Sequence, residues 1–277
     1  MRVRSHAPAP LAEAAPHERR QIVAFGGGGF SMERGNPLLD DYVLSLTGKE
    51  RPRVCFLPSA SGDADHYVVR FYREFAGARA EASHITLFRR DRGVPDVSEH
   101  LLSQDLIYVG GGSLLSLLGV WRAHGVDRAL REAWRRGTVL CGLSAGALCW
   151  FSDAVTAYYG APERVPGMGF LPWSFTAHYD AEPERRDEFH RQLAAGMKSG
   201  YAADDGAALH FRGLRLHRVV SSRPGAGAFA LRRVAGRVRE DRLDASYLGA
   251  ADGSADAENA EGGEEPDVRG HPAPAAA

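Results

Sequence analysis

The stretch "TVLCGLSAGALCW", residues 138–150, joins an apolar run of strand length to a run of small residues, with Ser144 at the junction. Gly142-Leu143-Ser144-Ala145-Gly146 has the spacing G-x-S-x-G. Small residues there permit a sharp strand-to-helix turn that holds a serine hydroxyl outward at a strained backbone position. The same residues would also suit a helix packed tightly on a sheet, with Ser144 as no more than its N-cap. A strand before the serine and a helix after it are the context that the nucleophile reading requires. Ser144 is therefore the expected nucleophile, and the N–H of Ala145 would point where an oxyanion forms.

Working outward, "QIVAFGG" (21–27), "RVCFLPS" (53–59), "HITLF" (84–88) and "DLIYVGG" (105–111) are further apolar runs of strand length, of the kind buried on both faces of a sheet. Helical periodicity lies between them. One helix begins near Asn36, and others run over 65–75, 114–124 and 126–135. Alternation of this kind predicts an α/β fold: a doubly wound, mostly parallel sheet with helices on both faces. After Trp150 the chain is rich in Pro, Gly and aromatics, then predicts a helix over about 181–197. It closes with β-like segments ("GYAADDGAALHF", "LRLHRVVSS", "GAFALRRV"), expected as a C-terminal antiparallel β extension at the sheet edge.

The 277 residues carry a net charge of −1 and no apolar run near the ~20 needed to span a bilayer. No tract interleaves basic and aromatic residues, so neither nucleic acid nor membrane is an expected partner. Residues 1–20 are expected as a disordered leader without the apolar middle of a secretory signal. Residues 250–277, with Asp252, Asp256, Glu258, Glu261, Glu264, Glu265 and Asp267, are expected as a disordered acidic tail. One domain, 21–249, remains. Cys55, Cys141 and Cys149 lack metal-ligand spacing and suit reduced, buried thiols in the cytoplasm. The two lysines, Lys49 and Lys198, lie in no motif, which disfavours Schiff-base or Ser–Lys chemistry. No metal or organic cofactor is implied.

Gly110-Gly111-Gly112 ends the strand predicted before the serine strand. In a parallel sheet its loop shares the carboxyl edge with the Ser144 turn, where ligands bind. Gly112 is the expected second oxyanion donor, and Gly28, Gly111 and Ser113 are the expected substrate-lining positions. A dinucleotide site is the competitor, but no G-x-G-x-x-G is followed by an acid about 20 residues on. A general base lying downstream of the serine would be His178, His190, His210, His217 or His271. His178, in "FTAHYD" just ahead of a helix, is placed best to project into a cleft.

The combination "GGGGFSM", "VGGGS", "GLSAGALCWF", "AHYDAEPERR" and "YAADDGAALHF" resembles the S51 serine peptidases, the group of dipeptidase E and cyanophycinase, over roughly Gln21 to Val234. The resemblance implies a fold like that of class I glutamine amidotransferases. It also implies Ser144 as nucleophile, His178 as its base, and Gly112 with Ala145 as the oxyanion hole. Two departures stand out. Relatives read something like T-D-S-F-G after the nucleophile helix, with the Asp as third triad member, whereas this chain has Ala157 in Thr156-Ala157-Tyr158-Tyr159-Gly160. Asp153, Glu163 and Asp180 are the candidate replacements for that acid. Ser113-Leu114 also stand where dipeptidase E has Asn-Thr, so aspartyl specificity does not carry over.

The function expected is a serine hydrolase that cleaves a dipeptide or other small amide through an acyl-enzyme on Ser144. A homodimer is compatible with the sequence. The alternatives are an acyl transferase in a biosynthetic pathway and, because Ala157 removes the expected acid, a catalytically impaired peptide-binding protein.

Overall fold

The computed structural model describes residues 19–88 and 96–249; the expected leader (but for its last two residues), the acidic tail and His271 lie outside them. The chain begins with β1 (Gln21–Phe25), α1 (Leu38–Ser45), β2 (Arg53–Leu57), α2 (Asp65–Phe75), β3 (Glu81–His84), α3 (Val97–Leu102), β4 (Leu106–Val109), α4 (Leu114–His124), α5 (Val126–Arg136), β5 (Val139–Leu143) and the short α6 (Ala145–Leu148). It continues with β6 (Phe151–Thr156), β7 (Glu163–Pro166), β8 (Leu171–Thr176), α7 (Pro183–Ala194), β9 (Gly200–Ala203), β10 (Ala207–Arg212), β11 (Arg215–Ser221), β12 (Ala228–Val234), β13 (Arg237–Leu243) and β14 (Ala245–Tyr247).

Strands β1, β5, β4, β2 and β3 lie side by side in that order and run parallel. Alternation of side chains shows why helices cover both faces. Ile22, Ala24, Cys55, Leu57, Ile107 and Val109 pack with Val97, Leu117, Trp121, Leu130 and Trp134 of α3, α4 and α5. Val23, Phe25, Val54, Phe56, Leu106 and Tyr108 pack with Leu39 and Val43 of α1 and with Tyr67, Phe71 and Phe75 of α2. Both faces of β1, β5, β4 and β2 are thus apolar, which accounts for the continuous hydrophobic runs in the sequence, whereas the edge strand β3 is polar and half-buried. The fold is the expected doubly wound α/β class.

Two details differ from the sequence reading. The third strand is Glu81–His84 rather than 84–88. Ile85 and Leu87 are buried, but the N–H groups of Leu87 and Phe88 donate to Asp63 Oδ2 (2.5 and 2.7 Å), so the carboxylate replaces the ladder there. The C-terminal extension also divides between two sheets. β10 and β11 continue the main sheet antiparallel beyond β1, and β14 adds to it in parallel. β12 and β13 instead join a six-stranded sheet, β13-β12-β9-β8-β6-β7, that carries α7 through Val155, Tyr179, Phe189, Leu193 and Leu231. Among the described residues no helix is long and apolar enough to cross a membrane.

Asp40 of α1 is fully buried beneath the loop after β1, and neither carboxylate oxygen is hydrogen-bonded among the described residues. Burial, together with the charge of Glu74, pushes its carboxyl up to about 8, against the opposing influence of the Tyr108 hydroxyl and Arg79. The folded chain therefore holds a proton here that the unfolded chain releases near pH 4. Stability from this group is complete at low pH and drains away as pH rises toward 8, by up to about 1.4 kcal/mol per pH unit. Asp40→Asn is expected to leave stability little changed near pH 4 and to raise it at pH 8. Urea denaturation at several pH values checks this; an equal effect at both ends contradicts it.

Candidate active site

Ser144 follows β5 with φ 50° and ψ −120°, outside the regions a serine ordinarily occupies. Close packing makes the turn sharp. A Cβ at Gly142 would overlap the Gly146 carbonyl, and one at Gly146 would overlap the Val109 carbonyl, so both positions require glycine. The Ser144 carbonyl accepts from the N–H groups of Ala147 and Leu148 (2.8 Å each), which starts α6. Its hydroxyl is half-buried and makes no hydrogen bond among the described residues.

The end of β1 brings the other groups to this turn. Ser144 N–H donates to the Phe25 carbonyl (3.3 Å), and His178 N–H donates to the next carbonyl, Gly26 (3.2 Å). The third carbonyl, Gly27, accepts from Gly206 N–H (3.1 Å), and Gly27 forms a parallel bridge with Asp205. His178 lies between β8 and α7 with φ 55°, and Asp205 lies in the turn between β9 and β10. His178 Nδ1 and Asp205 Oδ1 are 2.6 Å apart, with both side chains 14% exposed. Burial alone would raise the Asp205 carboxyl. The hydrogen bond and charge of His178, with Arg223 and Arg185, outweigh it and hold the group below the usual carboxylate range. Pairing through Nδ1 leaves Nε2 as the ring nitrogen with no hydrogen bond among the described residues.

The carboxylate at His178 thus belongs to Asp205, which the sequence reading passed over. Asp153 instead accepts two hydrogen bonds from Arg164 (2.8 and 2.6 Å) on the neighbouring strand. Glu163 is exposed on β7, an outer strand of the second sheet. Asp180 accepts the backbone N–H of Asp205 (2.8 Å) and so braces the turn rather than the imidazole. The absence of an acid at Ala157 leaves no gap at the imidazole. Within "YAADDGAALHF" the signal was a pair of acids before a glycine. The turn between β9 and β10 sends one of them, Asp204, to the Gly227 N–H (3.0 Å) and the other to His178.

The remaining histidines are committed elsewhere. His190 meets Tyr179 and Glu240 (2.9 and 2.8 Å). His210 lies buried between Tyr42 and Gln21, where burial pushes its ring down to about 3. Exposed His217 packs edge-on against it.

The glycine loops close around the serine. A Cβ on Gly111 would sit 3.4 Å from Ser144 Cβ, and Gly111 N–H donates to the Tyr67 hydroxyl (3.1 Å). Gly112, at φ 138°, would overlap the Ala60 carbonyl if it carried a side chain. Among the described residues no acceptor takes the N–H of Gly112 or of Ala145. The Ser113 hydroxyl accepts from Ser116 N–H (3.1 Å) as the N-cap of α4, and Gly28 N–H meets the Met32 sulfur (3.2 Å).

A strained serine turn, an Asp–His pair and, among the described residues, two unclaimed N–H groups thus share the carboxyl edge of a doubly wound sheet, the edge at which such folds bind ligands. The chain belongs to peptidase family S51, whose model matches residues 22–219. It is 46% identical over 231 residues to the Bacillus subtilis (strain 168) protein named uncharacterized peptidase YgaJ, covering 83% of this chain and 100% of that one. It is 30% identical over 115 residues to uncharacterized peptidase Lmo0363 of Listeria monocytogenes, covering 40% and 53% respectively. The fold resembles the crystal structure of a peptidase from an acI-B1 Actinobacterium, with a TM-score of 0.64 and 19% identity, over 81% of this chain and 94% of that one. It also resembles a putative peptidase E protein from Listeria monocytogenes EGD-e, with a TM-score of 0.51 and 17% identity, over 81% and 99%.

A Cβ at Gly27 would overlap Asp205 Oδ1 and lie 3.0 Å from His178 Cε1. Gly27→Ala is therefore expected to cost about 1–3 kcal/mol of stability, as overpacking does. It is also expected to cut peptide hydrolysis at least ~100-fold by displacing the imidazole. Chemical denaturation with steady-state kinetics checks both; a folded variant of full activity contradicts the account.

Proposed function

We propose that this S51 peptidase is a serine hydrolase of short peptides, working through an acyl-enzyme on Ser144. The supporting observation is the 2.6 Å His178–Asp205 pair, hung from the strand end that also holds Ser144. Asp205 fixes the tautomer with hydrogen on Nδ1, so Nε2 accepts the Ser144 proton as Oγ attacks the scissile carbonyl. The oxyanion that forms is met by the N–H groups of Gly112 and Ala145, which have no other acceptor among the described residues. His178 then gives its proton to the departing amine, and a water activated by the same nitrogen releases the acyl group. The Ser144 hydroxyl engages His178 when substrate is bound, as catalytic hydrogen bonds commonly tighten only in the complex.

The acid beside His178 removes the motive for the catalytically impaired peptide-binding reading, since Ala157 is not where the imidazole finds its partner. Ser144→Ala is expected to abolish amine release from a dipeptide library and labelling by a fluorophosphonate. Asp205→Asn is expected to lower kcat by about 10³–10⁴-fold, the size of effect seen when a triad acid is disabled. Glu163→Gln is expected to retain activity. Mass spectrometry of the released amino acids reads all three; an Asp205→Asn enzyme with nearly unchanged kcat contradicts the assignment.

A further inference from the structure

We propose that Arg223 binds the free carboxylate of the leaving amino acid and so confines the enzyme to peptides cut one residue from their C-terminus; the inference rests on the function proposed above. His178 must protonate the departing amine, so the residue bearing that amine lies along the His178–Asp205 side of the cleft. The acyl oxygen faces the other way, toward Gly112 and Ala145. In a dipeptide the leaving residue ends in a carboxylate, and that charge calls for a fixed cation beside the Asp–His pair.

Arg223 stands at that place. It follows β11 and lies across Gly206, the residue after Asp205: a Cβ on Gly206 would be 2.8 Å from Arg223 Cγ and 2.9 Å from Cδ. Its Nε donates to Glu33 Oε1 (2.5 Å). The Glu33 side chain is 4% exposed, and its other oxygen accepts from the Ser222 hydroxyl (2.6 Å) and from Gly29 N–H (3.3 Å). The guanidinium is thereby held by a buried carboxylate at one edge. Among the described residues neither Nη is hydrogen-bonded, and the side chain is 42% exposed. Two parallel N–H groups on an anchored guanidinium match a carboxylate in a bidentate arrangement. The neighbouring cations are occupied. Arg185 is 5% exposed and bonded to Glu182 and the Ala177 carbonyl, and Arg186 is bonded to Glu240.

The test uses a panel of Xaa-Leu dipeptides, each paired with its C-terminal amide, and full-length wild type, Arg223→Gln and Arg223→Lys, with thermal melts to establish folding. In the wild type, amidation is expected to raise KM at least tenfold with kcat changed much less. In Arg223→Gln the acid-to-amide KM ratio is expected to fall to within about twofold of unity, and Arg223→Lys should keep part of the discrimination. A wild type that treats acids and amides alike overturns the proposal, as does an Arg223→Gln enzyme that loses both substrates in equal proportion. Calorimetry of the same pairs with Ser144→Ala reads the carboxylate contribution without turnover. If the wild type cleaves no pair, the same calorimetry on Ser144→Ala/Arg223→Gln separates the two readings: an acid preference lost with Arg223 would end the hydrolysis reading and leave Arg223 as a carboxylate-binding residue, whereas an acid preference that survives, or equal binding of acids and amides by Ser144→Ala, would end the Arg223 assignment itself.

Discussion

The strand end Phe25-Gly26-Gly27 is the constraint on which the site depends. Its three successive carbonyls accept the N–H groups of Ser144, His178 and Gly206, which come from three separate parts of the chain. Hydrogen bonds to fixed backbone position those residues more narrowly than side-chain packing would, and the strand supplying them is buried on both faces. Glycine at 27 leaves the space that the Asp205–His178 pair fills, so the absence of a side chain there is a requirement of the site.

That arrangement carries strain which the surroundings must hold. Ser144 and His178 both have positive φ, a conformation that costs a non-glycine residue about 1–3 kcal/mol at such sites. On the Ser144 side, α6 packs against the carbonyls of β4 with no Cβ between them. On the His178 side, the adjacent Tyr179 is buried. Its hydroxyl donates to Glu240 of β13 (2.5 Å), and Arg186 lies over its ring at 4.8 Å. The second sheet and α7 thus clamp the loop bearing the imidazole. They are a support for the site as well as an extension of the fold.

The parallel half of the fold was legible because burial on both strand faces writes itself as uninterrupted apolar runs, each closed by glycine or a turn residue. Ser144 and His178 were legible for a related reason: the first needs small neighbours in sequence, and the second sits in a short loop between a strand and a helix. Asp205 was not. Its partner is 27 residues earlier and its bridge to Gly27 spans far more, so no local spacing marks it. The acids nearest in sequence to Ala157 and His178 are Asp153, Glu163 and Asp180, which the structure engages with Arg164, leaves exposed, and sets beneath the Asp205 turn respectively. The second sheet was hidden likewise, since β6, β8 and β9 pair in parallel across long connections while β12 and β13 form a hairpin that could have joined either sheet.

The claim that Asp205 holds the His178 imidazole is tested most directly by proton NMR of the histidine ring N–H groups. A 2.6 Å hydrogen bond from Nδ1 to a carboxylate predicts a far-downfield resonance in the wild type. That resonance should be absent in Asp205→Asn and retained in Asp153→Asn. A resonance that survives Asp205→Asn would contradict the account and reassign the partner of His178.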